Sequence, residues 1–293
     1  MDASIIIRTY NEATWLPAAL DAVAAQTPPP GGVETIVVDS GSTDATRAIA
    51  EAHGCRIVPI AKEDFSFGRS LNLGCAAAQG EALVFLSGHC IPEGGDWLTR
   101  LIAPLGRDRI AYTYGRQVGH ERSKYSETRL FAKYFPAASA LPQDGFFCNN
   151  ANAALLRSVW AEHRFDEQLT GLEDMDLAKR LLAAGARVGY VADAAATHIH
   201  EESWHKVRTR YEREAVALQG IMPEVQVGLG DVVRYFFSAV FLDWAQAVQD
   251  RVFWHTAGEV VLFRLMQYWG TYRGNNEHRK LSARRRDAYF YPR

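Results

Sequence analysis

Two periodicities alternate along residues 1–90. Short apolar runs at Ser4–Arg8, Thr35–Val38, Arg56–Ile60 and Ala82–Leu86 read as buried strands. The stretches between them, Trp15–Ala25, Ala45–His53 and Arg69–Ala78, space their apolar residues as helices do. Strand, helix, strand at this spacing predicts an α/β domain whose parallel sheet is covered on both faces. Further on the pattern is less regular. Strands are predicted at Tyr112–Gln117, Phe146–Leu156 and Arg187–Val191, and helices at Glu127–Phe135 and Asp174–Ala184. From about Trp204 the texture turns to long helices rich in Phe, Trp, Tyr and Arg.

Composition narrows the class. A chain of 293 residues has room for one large domain and an extension. Its 48% hydrophobic and 23% charged residues exclude a disordered or low-complexity chain. A formal net charge of −2 gives no basic signature, so no nucleic-acid partner is expected. Cys55, Cys75, Cys90 and Cys148 form no CxxC pair, which suggests neither a zinc cluster nor a dense disulfide framework and favours a reducing cytoplasm. Met1-Asp2-Ala3 runs straight into the first strand, with no leader pattern. The longest apolar stretch, Tyr235–Val248, contains Asp243 and Gln246 and falls short of the ~20 residues that span a bilayer.

Ligands of such sheets bind beyond the carboxyl ends of the strands. After the first strand comes Arg8-Thr9-Tyr10-Asn11-Glu12, which is neither a GxGxxG fingerprint nor a Walker A loop. Thr9, Tyr10, Asn11 and Glu12 suit a base or ribose, although Asn11 serves equally as a helix cap. After the second strand comes Asp39-Ser40-Gly41-Ser42-Thr43-Asp44. Asp39, with Ser40 beside it, is placed to accept hydrogen bonds from a nucleoside, because a carboxylate directly after a buried strand needs a partner. Asp44 reads as a cap.

Three later segments carry candidate chemistry. Leu172-Glu173-Asp174-Met175-Asp176 puts three acids at a helix start, where the helix dipole alone accounts for one. Asn149, Asn150 and Asn152 crowd beside an apolar strand, and their amides need either sugar hydroxyls or a turn as partners. Arg116 ends a strand where it can meet a diphosphate. His198 and His200 alternate in an extended stretch and so are expected on one side of it.

Ile5-Ile6-Ile7-Arg8-Thr9-Tyr10-Asn11-Glu12, followed by Val37-Val38-Asp39-Ser40-Gly41-Ser42-Thr43-Asp44, resembles the opening of family 2 glycosyltransferases, which have the GT-A fold. Asp64-Phe65-Ser66-Phe67-Gly68-Arg69-Ser70-Leu71-Asn72, followed by Gly80-Glu81 and Val84-Phe85-Leu86, is similar to their rhamnosyltransferase-like branch. The four-part order is far more specific than any one motif. The resemblance implies a GT-A-type nucleotide-binding sheet with flanking helices over residues 1–204, its nucleotide half about 1–120 and its acceptor half about 121–204, and a C-terminal helical extension over 205–293. It implies an inverting enzyme that moves a sugar from a nucleotide-sugar donor to a hydroxyl of a glycan or lipid-linked acceptor in surface polysaccharide assembly. In these terms Asp39 holds the base or ribose, and Arg69 and Asn72 line the nucleotide pocket. Asp174 is the catalytic base and Glu173 orients the acceptor or its loop. Asn149, Asn150, Asn152 and Trp204 face acceptor or sugar. Two rivals remain. A sugar nucleotidyltransferase would carry a Gly-rich, Lys/Arg-bearing loop after the first strand, which Arg8–Glu12 is not. A non-catalytic glycan- or partner-binding member of the same fold is supported by the missing Asp-x-Asp of the metal motif and opposed by the retained Glu173-Asp174.

The sequence departs from the family at its metal motif. Where an Asp-x-Asp is expected after the fourth strand it reads Ser87-Gly88-His89-Cys90-Ile91-Pro92, with His89 in place of the metal-binding Asp. Ser87 and Gly88 remain donor-binding candidates. Either a borderline ion is held by His89 with His198 or His200, or no metal is used and His89 meets phosphate. A divalent metal, Mn²⁺ or Mg²⁺, stays open as cofactor, with weak or absent dependence favoured.

Residues 251–293 hold nine Lys/Arg against three acids, a net +6 that leaves −8 on the rest of the chain. Next to the aromatic stretch Tyr235–Trp244, this reads either as attachment to an anionic membrane surface, peripheral on the inner face of the cell membrane, or as a helical cap packed on the core.

Overall fold

The structure is a computed structural model that describes residues 1–276 and 288–290. Two compact units share the chain. One comprises Met1–Val118, Tyr134–Gln168 and Glu173–Ile199, and the other Gly119–Lys133, Leu169–Leu172 and the residues from His200 on.

The first unit opens with the predicted alternation: β1 (Ala3–Thr9), α1 (Leu16–Ala24), β2 (Val33–Asp39), α2 (Thr46–Ala52), β3 (Arg56–Pro59), α3 (Phe67–Ala77) and β4 (Ala82–Ser87). It continues with β5 (Cys90–Pro92), α4 (Trp97–Ile102) and β6 (Ile110–Gly119). After α5 (Tyr125–Tyr134), which falls largely in the second unit, come β7 (Asn152–Leu156), α6 (Arg157–Glu162), α7 (Glu173–Ala183) and β8 (Arg187–His198). The strands form one sheet in the order β3-β2-β1-β4-β7-β6-β8-β5. The first four are parallel, β7 runs antiparallel to β4 and β6, and β5 runs antiparallel to β8.

Helices on both faces explain why β1 and β4 are continuous apolar runs rather than alternating ones, with Ile5, Ile6, Ile7, Val84, Phe85 and Leu86 all buried. Gly74 lets α3 lie tightly on this layer: a Cβ there would sit 2.5 Å from Ile6 Cγ2. The parallel register sets Thr9 opposite Asp39 and Arg8 opposite Ser87, so the carboxyl ends of β1, β2 and β4 come out level.

Several elements differ from the sequence expectation. β5, α4 and α6 are too short for a period to register. β8 runs on past Val191 to His198, because pairing with its neighbours in the sheet outweighs the poor strand propensity of its Ala-rich end. The strand predicted from Phe146 starts only at Asn152, since the preceding residues turn: the Asn149 side-chain oxygen accepts the Ala151 N–H at 3.0 Å.

The second unit is helical, with α8 (Trp204–Ile221), α9 (Leu229–Gln249) and α10 (Phe253–Asn275). Gly270 and Gly274 face α8 at close range, where a Cβ would lie 2.4 Å from the Arg208 carbonyl and 2.1 Å from the Glu212 carbonyl. Asp243 of α9 is buried and accepts from Arg264 of α10 at 2.8 Å and from the Ser126 hydroxyl of α5 at 2.6 Å. Among the described residues no helix is long and apolar enough to cross a membrane. Most of the basic residues at the end of the chain lie outside the described residues.

Candidate active site

The level strand ends are stitched to each other. Asn11 sits in the left-handed region at φ 56°, which Asn tolerates better than most residues. Its side-chain oxygen accepts the Thr43 N–H at 2.8 Å, and its own N–H donates to Ser42 Oγ at 2.9 Å. The Glu12 N–H donates to Thr46 Oγ1 and the Ala13 N–H to Asp44 Oδ2. Asn11 therefore ties the loop after β1 to the loop after β2 and does not cap α1, which starts at Leu16. Asp39 is buried, and its carboxylate accepts the N–H groups of Gly41 at 3.2 Å and Ser42 at 3.1 Å and the Thr9 hydroxyl at 3.3 Å. The Ser40 hydroxyl donates to the Thr9 carbonyl. The Tyr10 ring lies 5.7 Å from the Lys62 ammonium.

Two predicted ligand residues are committed elsewhere. Asn72 uses its whole amide on the fold: it donates to the Phe165 carbonyl and Glu167 Oε1, and accepts from Trp160 Nε1 and the Phe165 N–H. It pins α3 to the segment at 165–167 and has no hydrogen-bonding capacity left for a nucleotide. Asn152 likewise joins three strands, donating to the carbonyls of Arg116 and Ala194 and accepting from Trp97 Nε1. Gly115 makes room for it, since a Cβ there would meet Asn152 Nδ2 at 2.4 Å. Arg69, by contrast, keeps a half-exposed guanidinium whose nearest acid is Asp64 at 3.8 Å.

Both acids at the start of α7 are buried. Glu173 is paired with Arg8 at 3.1 Å, and Arg8 also lies over the Phe67 ring. Asp174 accepts the backbone N–H of Asn150 and that of Met175, each at 2.8 Å. Asn150 is held in turn by the Tyr112 hydroxyl, which donates to its side-chain oxygen. Its Nδ2 is buried and has no hydrogen-bond partner among the described residues. Burial, and then the charge of Glu173, push the Asp174 carboxyl up to about 7, against the two N–H bonds and Arg8, which pull it down. Asp176 points elsewhere and pairs with Arg180 one turn on, at 2.9 Å. Sequence reasoning passed over Arg8 and Tyr112. An arginine closing a buried strand was a usable signal, because its charge must find a carboxylate.

His89 stacks on His198, with ring centroids 5.1 Å apart and planes 23° apart. Nδ1 of His89 faces Glu12 Oε1 at 2.9 Å, and Nδ1 of His198 faces Gln117 Oε1 at 2.7 Å. Gln117 is fixed by donating to Asn149 Oδ1 at 2.9 Å. A carboxylate or amide oxygen only accepts, so Nδ1 of each ring donates. Gly88 brings the β4 end close to Glu12, whose Cγ would lie 3.1 Å from an added Cβ. The Ser87 N–H donates to the Ala151 carbonyl at 3.1 Å. Arg116 Nε is buried and has no hydrogen-bond partner among the described residues.

His200 lies beyond the end of β8, in the helical unit, so the extended alternation expected for His198 and His200 stops at His198. Its Nδ1 faces Glu127 Oε1 at 2.8 Å. Burial works against the Glu127 charge, but Arg210 and His200 overcome it and hold the carboxyl down at about 2. Trp204 opens α8 with the Lys124 ammonium 4.7 Å above its ring.

The mixed sheet with its flanking helices is of the GT-A type, and comparison with known proteins agrees. The mannosyltransferase PcManGT of Pyrobaculum calidifontis, solved with GDP-Man and Mn²⁺, superposes with a TM-score of 0.63 at 16% identity, covering 99% of this chain and 87% of that one. Residues 1–349 of TarS from S. aureus superpose with a TM-score of 0.55 at 17% identity, covering 96% and 94%. The family model for glycosyl transferase family 2 matches residues 4–164, and the chain belongs to that family. Among characterised relatives it is 28% identical to the O-antigen chain rhamnosyltransferase RfbN of Salmonella typhimurium, over 92% of this chain and 90% of that protein. It is 30% identical to the O-antigen chain rhamnosyltransferase WbaN of Salmonella anatum, over 91% and 89%.

The buried acid has a consequence for stability. The Asp174 carboxyl titrates at about 7 in the fold against an ordinary 3.8, so the folded state prefers the neutral acid. Its contribution is complete below about pH 4 and is lost as pH rises through about 7. Asp174→Asn, which cannot ionise, is expected to gain melting temperature relative to the wild type between about pH 5 and pH 8. A difference that stays constant over that range would contradict the assignment.

Proposed function

We propose that this glycosyltransferase moves a deoxyhexose, rhamnose in the first instance, from a nucleoside-diphosphate donor to a hydroxyl of a growing, lipid-linked surface polysaccharide, with inversion at the anomeric carbon. The O-antigen chain rhamnosyltransferases that match it over nine-tenths of its length support the donor sugar and the acceptor. The cytoplasmic face of the membrane is the place where such an acceptor meets a nucleotide sugar. Family membership and the retained pair of acids speak against the non-catalytic and nucleotidyltransferase readings.

The observation that carries the mechanism is the state of Asp174. A carboxyl that titrates near 7 is matched to taking a proton from an alcohol at working pH. The acceptor oxygen attacks the anomeric carbon, the bond from that carbon to the donor diphosphate breaks, and the hydroxyl proton passes to Asp174. Two backbone N–H groups fix the carboxylate, so no rotation of the base is needed during the transfer. Glu173, paired with Arg8, supplies the charge that keeps Asp174 basic. The amide of Asn150, held by Tyr112, offers a free donor to a sugar or acceptor oxygen next to the base. A single displacement needs no enzyme nucleophile.

The leaving diphosphate needs positive charge. His89 and His198, each with Nδ1 tied to an acceptor, are the groups of the sheet unit that would hold a divalent ion through Nε2, or meet phosphate themselves. When bound, such an ion acts as a Lewis acid toward the diphosphate oxygens. A pair of nitrogens suits Mn²⁺ or Co²⁺ better than Mg²⁺ and, without a first-motif carboxylate, holds the ion weakly.

Asp174→Asn should keep the fold and donor affinity and lower turnover by roughly 10²–10⁴-fold. Wild-type turnover should rise with pH to a plateau through an apparent pKa near 7, because the base must be ionised. An Asn variant with wild-type turnover would overturn the assignment. For the ion, excess chelator is expected to lower turnover by less than about tenfold, with Mn²⁺ restoring it better than Mg²⁺. Complete loss, restored equally well by Mg²⁺, would contradict a histidine site.

A further inference from the structure

The helical unit carries a surface that catalysis does not use. α9 and α10 pack side by side, with Tyr235 stacked on Tyr268 at 6.3 Å and the Trp244 indole N–H donating to the Ala257 carbonyl at 3.1 Å. α10 gives its glycine face to α8. The faces left outward are apolar. On α9, Phe237, Phe241 and Val248 recur at helical spacing and are all more than half exposed, with Leu242 beside them at 66%. On α10, Leu262, Leu265 and Trp269 recur at helical spacing and are each a little over two-fifths exposed, and Trp254 at its start is 90% exposed.

Charge is missing from both faces. From Tyr235 to Gln249 the one Asp, Glu, Lys or Arg is Asp243, and from Val260 to Tyr272 it is Arg264. These two residues are buried and bonded to each other. Several turns of two neighbouring helices therefore meet solvent without a single charge. Proteins that stay single in water rarely expose so broad an apolar area.

The occupant can be argued from charge. The chain that directly follows α10 reads Arg279-Lys280-Leu281-Ser282-Ala283-Arg284-Arg285-Arg286, outside the described residues. A second copy of this chain carries the same excess of basic residues after α10, so charge does not favour it as the occupant. An anionic headgroup layer attracts them at about 1 kcal/mol per basic residue near the surface. Exposed Trp and Tyr among aliphatic side chains suit the boundary between headgroups and acyl chains.

We propose that the α9–α10 pair docks flat on an anionic bilayer, its outward face among the upper acyl chains. The pair lies on the membrane and does not cross it. The inference deepens the proposed function only in giving a reason for a membrane, namely a lipid-linked acceptor; the surface itself is argued independently of the chemistry. It also changes the character of binding from the sequence expectation, because apolar insertion, unlike headgroup attraction, survives salt.

The test is co-sedimentation of the purified full chain with vesicles of phosphatidylcholine, alone and with added phosphatidylglycerol. The wild type should bind the anionic vesicles and keep part of that binding at high salt. A double variant, Phe241→Glu with Leu242→Glu, should bind at least about tenfold more weakly. Both positions are exposed, so its circular dichroism and its transfer to a soluble acceptor should match the wild type. Unchanged vesicle affinity in the double variant overturns the proposal. So does a wild type that ignores vesicles and forms a dimer that the double variant breaks. Transfer to the soluble acceptor separates the two readings: an enzyme that transfers without binding vesicles refutes the docking surface alone, and one that binds without transferring refutes the proposed function alone.

Discussion

Burying two adjacent carboxylates at the start of one helix is the constraint on which the sheet unit turns. Glu173 and Asp174 cannot both shed their charge into water, so the surrounding chain must answer each of them. It answers them differently. Glu173 receives a full countercharge from Arg8, at the end of β1. Asp174 receives only two backbone dipoles, from Met175 and Asn150, and carries its neighbour's charge as a burden. The outcome is an asymmetry: one acid has a full countercharge, while burial and its neighbour's charge push the other up to about 7.

That asymmetry depends on strands far apart in sequence. Arg8 reaches Glu173 only because β1 ends level with β2 and β4, and that level is fixed by parallel register. The loops that leave these ends are then tied together through Asn11, Asp39, Asp44 and Thr46. The same economy holds on the antiparallel side, where Asn152 crosslinks its neighbouring strands and Tyr112 holds Asn150 beside Asp174. Polar residues such as Asn11, Asn72 and Asn152 thus build the frame around the site.

Much of this was legible from the chain. The βα repeat before residue 90 is readable because both faces of the sheet are covered, so its strands are unbroken apolar runs. The resemblance carried by Arg8–Glu12, Val37–Asp44 and Glu173-Asp174 located the family and the two acids. What could not be read is which polar side chain faces inward. Asn72 and Asn150 look alike in sequence, yet one is consumed by Trp160 and the segment at 165–167 while the amide nitrogen of the other has no hydrogen-bond partner among the described residues. β5, α4 and the end of β8 escaped because pairing and packing, not local propensity, hold them. The alternation of His198 and His200 was legible only as far as His198, where the strand ends.

The central claim is a single displacement in which Asp174 takes the proton. The configuration of the new glycosidic bond tests it most directly. The product of one turnover, formed from a donor of known anomeric configuration and read by the anomeric proton coupling in NMR, should show that configuration inverted. Retention would require either a second displacement or attack from the face that the diphosphate leaves, and would contradict the role given to Asp174.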